Sequence, residues 1–391
     1  MAKEYISTKK MRMDLNLETR HKLFSIIRAG MGLSEPVIEL TSEEITGLIQ
    51  VARRQSILSL FYRGISKMHA PESSLRPWEQ HRIKSEYREI QHEDALKRIR
   101  SVFDDEGIPY ILLKGAVIRS LYPDITLRSN TDIDVLIHEA DVKRAVHILE
   151  ERTDFKTNKR HYHDISMIST RVHLELHFSI KEYDEQVDSI LVKAWEYASP
   201  SGEGNMYVFS PEYQIFHVVA HMRHHFLHGG LGIRPFLDLW LLRNKTQFNE
   251  DQVQSLVSKC GILQFYKECC YLSDVWMGSQ DHTDTSFLFE SFCLSGGVFG
   301  NEQFRMAGAQ RHRRGWRYLC GKVFPPKYQV KERYKDLSGK KHVLLYYYIK
   351  RWKCWLSKER RKKLKQQIKA SMTSDKEYQD SADDLFRQLG L

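Results

Sequence analysis

The stretch 110–137, YILLKGAVIRSLYPDITLRSNTDIDVLI, constrains this chain more than any other. It reads as an apolar strand from Tyr110 to Leu113, a Lys114-Gly115 step, a short helix, a loop carrying Arg128, and a second apolar strand opening with Asp132 and Asp134. Side chains alternate between the two faces of a strand, so residues two apart point the same way. Both carboxylates therefore emerge on one side while Ile133 and Val135 turn into a core. A fold for this chain must bury one face of that strand and accommodate two like charges on the other.

The surrounding pattern sets the fold class. From about Leu15 to Arg100 apolar residues recur at helical spacing: Ile45, Leu48, Ile49 and Ala52 follow Thr41-Ser42-Glu43-Glu44, a start in which Thr41 or Ser42 can cap free N–H groups. Trp78 to Ile99 is expected to be one long polar helix. Gly107-Ile108-Pro109 then breaks the helix, and strands alternate with helices as far as Pro200. A helix is predicted over Ala140 to Arg152 and strands over His163 to Ile168 and Arg171 to Phe178. In the last of these Val172, Leu174, Leu176 and Phe178 alternate with His173, Glu175 and His177. Ser210-Pro211-Glu212 is a capped helix start with proline in the first turn. Helices follow, with Gly229-Gly230 ending one, Arg234 to Leu242 forming the next, and a glycine loop expected at Gly296-Gly297-Val298-Phe299-Gly300. The expected class is α+β: a small mixed-sheet core with N-terminal and C-terminal helical regions. The expected divisions are 1–100 (helical), 101–200 (core), 201–335 (helical) and 336–391 (a basic aromatic extension with an acidic tail).

Composition narrows the classes. Charged residues make up 28% of the 391 and the hydrophobic set 41%, which excludes a wholly disordered chain. The excess of 60 Lys and Arg over 50 Asp and Glu favours phosphorylated, polyanionic or anionic-membrane partners. No secretory h-region opens the sequence and no apolar run reaches the roughly 20 residues of a membrane span, so a cytoplasmic location is expected. Cys260, Cys269, Cys270, Cys293, Cys320 and Cys354 lack Cys-x-x-Cys spacing and read as reduced, mostly buried thiols.

Asp-x-Asp alone is more often a surface turn or a solvated strand end than a site. Set beside an acid on a neighbouring strand, however, it brings three carboxylates to one point, an arrangement that is costly unless cations neutralise it. Hard oxygen ligands suit magnesium, and two such ions about 3.5–4 Å apart would clamp an in-line phosphoryl displacement. Asp132, Asp134 and Glu175 are the candidates.

Leu113-Lys114-Gly115, Tyr122-Pro123, Arg128 and Asp132-Ile133-Asp134 together resemble a bacterial nucleotidyltransferase family of the DNA polymerase beta-like nucleotidyltransferase superfamily. The resemblance covers about residues 40 to 350. It implies transfer of a nucleoside monophosphate from a nucleoside triphosphate to an acceptor hydroxyl or phosphate, with Mg2+ (two ions; Mn2+ as an alternative) on Asp132, Asp134 and Glu175. The superfamily's Gly-Ser step is Lys114-Gly115-Ala116 here, so the serine contact is missing, and Lys114 would supply a cation instead, with Arg128 serving the same anion. His177 shares a strand face with Glu175 and could reach substrate or orient a carboxylate.

His217, His221, His224, His225 and His228 fall on one helix, and the i, i+4 pairs among them allow a metal reading, although the His-Glu-x-x-His pattern is absent. The resemblance instead turns one or two of them, His221 foremost, toward the nucleotide with Arg234 and Asp238. The basic run Lys340 to Lys369, interleaved with Tyr346, Tyr347, Tyr348, Trp352 and Trp355, fits nucleic acid, an anionic surface or a solvated helix face. The acceptor is open: resemblance implies a sugar, lipid-linked or peptide natural-product intermediate. The alternatives are a nucleotidyltransferase toxin modifying transfer RNA or protein, or a catalytically silent nucleic-acid or membrane-surface binding module.

Overall fold

A computed structural model describes residues 15–34, 39–68, 72–129, 132–161, 163–170, 172–298, 300–310 and 376–391. The run Lys340 to Lys369 lies outside them, as do Pro325 and Pro326. The helices α1 (Leu17–Met31), α2 (Ser42–Arg54), α3 (Leu58–Ser66) and α4 (Glu72–Asp105) come first. Thr41 caps α2 through a reciprocal box: Glu44 N donates to Thr41 Oγ1 at 3.2 Å and Thr41 N to Glu44 Oε2 at 2.9 Å. The predicted helix over Trp78 to Ile99 is the middle of α4, which ends where Gly107 takes a positive φ of 62°.

β1 (Tyr110–Leu112), α5 (Lys114–Ile118), β2 (Asp132–Ile137), α6 (Val142–Arg152), β3 (Lys156–Arg160), β4 (Asp164–Ile168), β5 (His173–His177), α7 (Glu185–Leu191), β6 (Ala198–Pro200) and β7 (Met206–Phe209) form the core. The sheet is mixed and runs β3-β4-β5-β2-β1-β7-β6. β2 is central, parallel to β5 on one side and antiparallel to β1 on the other. Alternation decides its two faces. Ile133, Val135 and Ile137 join Leu174 and Leu176 of β5 against α6 and the end of α4, a core closed by Phe103, Phe155 and Leu149. The opposite face of β2 presents Asp132, Asp134 and then Leu136.

The C-terminal helices α8 (Pro211–His228), α9 (Ile233–Lys245), α10 (Glu250–Lys259), α11 (Leu263–Met277), α12 (Asp284–Leu294) and α13 (Glu302–Gln310) pack over that second face, with a last helix Lys376–Gln388. They share one apolar core with α1 to α3, so the N-terminal and C-terminal helices meet around residues such as Phe24, Phe61, Phe236 and Trp276. Phe24 stacks on Trp276 with ring centroids 4.8 Å apart. The buried pair Arg20–Glu290, at 3.1 Å, ties the same halves together. Cys260, Cys269, Cys270 and Cys293 are buried free thiols. No helix among the described residues is long and apolar enough to cross a membrane.

Candidate active site

The parallel register of β2 and β5 sets Asp132 opposite His173, Asp134 opposite Glu175, and Leu136 opposite His177. Two strands that each alternate thus stack their polar residues into one ladder on one sheet face. The ladder opens on a cavity of about 440 Å³ between the sheet and helices α8 and α9. Lys114, Gly115, Arg128, Asp132, Asp134, Glu175, His177, His221, Arg234 and Asp238 all line it. Of these, Lys114 and Asp238 are 124 residues apart in sequence.

Within the ladder His177 Nε2 lies 3.1 Å from Asp134 Oδ1 and 3.5 Å from Glu175 Oε2. Burial works against a charge on this imidazole, but the two carboxylates outweigh it and raise its pKa to about 9. The same contact, against the burial penalty, holds the Asp134 carboxyl below its usual range. One ligand atom each from Asp132, His173 and Glu175 lie within 4.8 Å of one another, as do those of Asp134, Glu175 and His177. Convergent carboxylate oxygens and imidazole nitrogens fit a divalent ion by their chemistry.

Lys114 sits at the turn from β1 into α5, with φ at 21°, on the edge of the left-handed region that side chains rarely occupy. The turn is fixed to the ladder, because Leu113 N donates to Asp134 O at 3.0 Å. Burial lowers the Lys114 pKa, with Glu182 and Asp134 acting in the opposite sense. No carboxylate is within ion-pair distance of its ammonium among the described residues. Arg234 is similarly placed: its one hydrogen bond among the described residues runs from Nη1 to Ser129 O at 3.2 Å.

Arg128 and Asp238 have instead found each other. Arg128 Nε and Nη2 donate to Asp238 Oδ1 and Oδ2, both at 2.8 Å, and Tyr122 Oη adds a bond to Oδ1 at 2.9 Å. This bidentate pair pins the loop after α5 to α9. Tyr122 of the Tyr-Pro motif thereby has a structural partner that the sequence did not indicate.

On α8 the histidines are arranged around Glu182, a residue that sequence reasoning missed. His221 Nδ1 is 2.7 Å from Glu182 Oε1, and His224 Nδ1 is 3.3 Å from Oε2. Since the carboxylate accepts from His221 Nδ1–H, the neutral ring keeps its lone pair on Nε2. His225 Nε2 then donates to it across 2.8 Å. Burial depresses the pKa of His221, and burial with His221 and Lys114 nearby pushes His225 down to about 2. His217 is buried, and its Nδ1 has no partner among the described residues. Glu182, His163 and Lys181 also line the cavity. They lie in or beside aperiodic loops, and their one sequence signal is nearness to the ends of the ladder strands.

The glycine loop closes the cavity's far end. Gly300 has φ 70°, and a Cβ there would stand 1.7 Å from Gly229 O, so glycine is needed for the two backbones to touch. Val298 of this loop lines the cavity; Phe299 lies outside the described residues.

Over residues 41–278, more than half its length, the chain matches the family described as "Uncharacterised nucleotidyltransferase", and it belongs to that family. The match includes every element of the cavity wall except the glycine loop. Searches of curated proteins and of solved structures return no match. The family makes the chain a transferase of nucleotidyl groups, in keeping with its mixed sheet flanked by helices.

Proposed function

We propose that this cavity transfers a nucleoside monophosphate from a nucleoside triphosphate to an acceptor hydroxyl or phosphate, with pyrophosphate as the other product. The observation that carries the reading is the pairing of Asp134 with Glu175 across β2 and β5, beside Asp132, on the wall that faces two cations without carboxylate partners among the described residues. Asp132, Asp134 and Glu175 would hold divalent ions, Mg2+ or Mn2+, which when bound supply electrophilic polarisation of the phosphoryl group.

The remaining parts follow from this chain's own groups. Lys114 and Arg234 bind the triphosphate oxygens, because each offers donors to the cavity and neither pairs with a carboxylate among the described residues. Lys114 thus stands where the superfamily's serine contact is absent. Without a bound ion, His177 holds Asp134 in place through its 3.1 Å bond. The Arg128–Asp238 pair fixes the wall behind the triphosphate, so that catalysis comes mainly from positioning and charge stabilisation. His221, oriented by Glu182, faces the same space from α8.

Incubating the protein with each labelled triphosphate and Mg2+ or Mn2+ against sugar, lipid-linked, peptide and transfer RNA acceptors, then weighing the products, tests this. A gain of one nucleoside monophosphate is expected on one acceptor class. Asp132→Asn and Asp134→Asn should lose at least about a hundredfold in turnover with the fold intact, the size of effect seen when one charge-stabilising group is removed from an active site. Full activity in either variant would sink the mechanism.

A further inference from the structure

Each rung of the carboxylate ladder has an imidazole beside it, and triphosphate chemistry alone does not call for one. His173 and His177 are there for the same reason as the acids: they alternate onto the polar face of β5, and the register with β2 sets them diagonally about Asp134. Glu175 lies in both three-residue groups, Asp132–His173–Glu175 and Asp134–Glu175–His177.

The spacing suits shared ligation. Neighbouring ligand atoms on an octahedral ion with bonds of about 2.1 Å lie about 3.0 Å apart. His177 Nε2 stands 3.1 Å from Asp134 Oδ1 and 3.5 Å from Glu175 Oε2, close to that separation. His173 is set up in a second way. Its Nε2 is 2.7 Å from Ser166 Oγ on β4, which can accept the ring proton and leave the lone pair on Nδ1, 3.9 Å from Glu175 Oε1. A metal-bound imidazole ordinarily has its other nitrogen engaged in this manner. His217, 2% exposed and with Nδ1 unpartnered among the described residues, adds further unused polar capacity to the same cavity.

We propose that the site is a mixed imidazole–carboxylate centre that holds first-row transition divalent ions such as Mn2+ in preference to Mg2+. His177 is the nitrogen ligand of the Asp134–Glu175 half and His173 that of the Asp132–Glu175 half. The carboxylate part rests on the nucleotidyltransferase reading; the histidines and the selectivity go beyond it. Mg2+ prefers oxygen and sheds water reluctantly, whereas imidazole suits transition ions.

The test is Mn2+ binding to the full-length protein, read from the loss of the aqueous Mn2+ paramagnetic resonance signal and from nitrogen modulation of the electron spin echo. Nitrogen coupling is expected in the wild type and reduced in His177→Asn. That variant should also lower the preference for Mn2+ over Mg2+ roughly tenfold or more, the usual effect of disturbing a metal's ligand surroundings. Circular dichroism checks that the variant folds, and His173→Asn gives an independent second reading of nitrogen coupling. Bound Mn2+ without nitrogen coupling, removable by Asp134→Asn but indifferent to both histidine changes, overturns the assignment and leaves the transferase reading standing. If no divalent ion binds, with or without ATP, both fall.

Discussion

Two arginines of one cavity are treated in opposite ways. Arg128 spends its planar fork on Asp238, and with 7% and 8% of the side chains exposed, the pair is a closed unit. Arg234 lies one helical turn before Asp238 on α9, yet bonds only a carbonyl, that of Ser129, among the described residues. The same residue type in the same cavity thus has a matched carboxylate in one case and is open to a ligand in the other. The difference teaches where structure ends and function begins: a buried charge with a matched partner holds the wall, and a cation left without a carboxylate is a place for phosphate.

The largest effect should come from breaking the closed wall. Asp238→Ala takes the bidentate carboxylate away from a buried guanidinium, a change that costs about 3–5 kcal/mol. Urea denaturation followed by circular dichroism measures it. A loss under about 1 kcal/mol would mean the pair is not what holds α9 to the loop after α5. Against this, Arg234→Met keeps the apolar stem and should change stability by no more than about 0.5 kcal/mol. Its expected cost is in binding: affinity for a non-hydrolysable ATP analogue with Mn2+ should fall about tenfold or more, or about 1.4 kcal/mol. Calorimetric titration of both variants decides whether the two walls differ in kind. An Arg234 variant that unfolds easily yet binds normally would make them alike.

How much of this was legible beforehand depends on the range of the interaction. The alternation in β2 and β5 is local, so the polar face carrying Asp132, Asp134, Glu175 and His177 could be read from the sequence. The Thr41 box and the Ser210-Pro211 start are equally local, and both lie at helix N-termini. The register that sets Glu175 beside Asp134 rather than beside Asp132 is a tertiary outcome, and periodicity does not encode it. The Arg128–Asp238 pair joins positions 110 residues apart, so Arg128 reads from the sequence as a phosphate contact while the fold gives it a carboxylate. Glu182, in a loop without periodicity, offered only its nearness to the end of β5. Its grip on His221 explains why histidines spaced for a metal are engaged in hydrogen bonds.

The histidine wall of α8 can be tested through pH. His225 has its pKa depressed to about 2, first by burial and then by His221 and Lys114. An unfolded histidine titrates near 6.5, so below that pH the unfolded chain binds a proton that the folded one refuses. Stability is therefore complete above about pH 6.5 and falls as the pH drops toward the folded value. One unit below 6.5 the loss from His225 is about 1.4 kcal/mol. Thermal midpoints between pH 7 and 5 should decline in the wild type and decline less in His225→Gln. Identical slopes would mean that this imidazole is free to take up a proton in the folded state, making the wall as open as the one that holds Arg234.

Tyr122→Phe probes the closed wall most gently. The phenol gives Asp238 Oδ1 one hydrogen bond at 2.9 Å, while Arg128 supplies the other two, so the ion pair survives the change. A loss of about 1 kcal/mol is expected, the usual net worth of such a bond. In an Asp238→Ala background the same substitution should cost nothing or even stabilise, because the buried hydroxyl has already lost its acceptor. A double-mutant cycle in urea measures that coupling. If the two changes add without coupling, the hydroxyl serves some neighbour other than Asp238, and the closed wall consists of the Arg128–Asp238 pair alone.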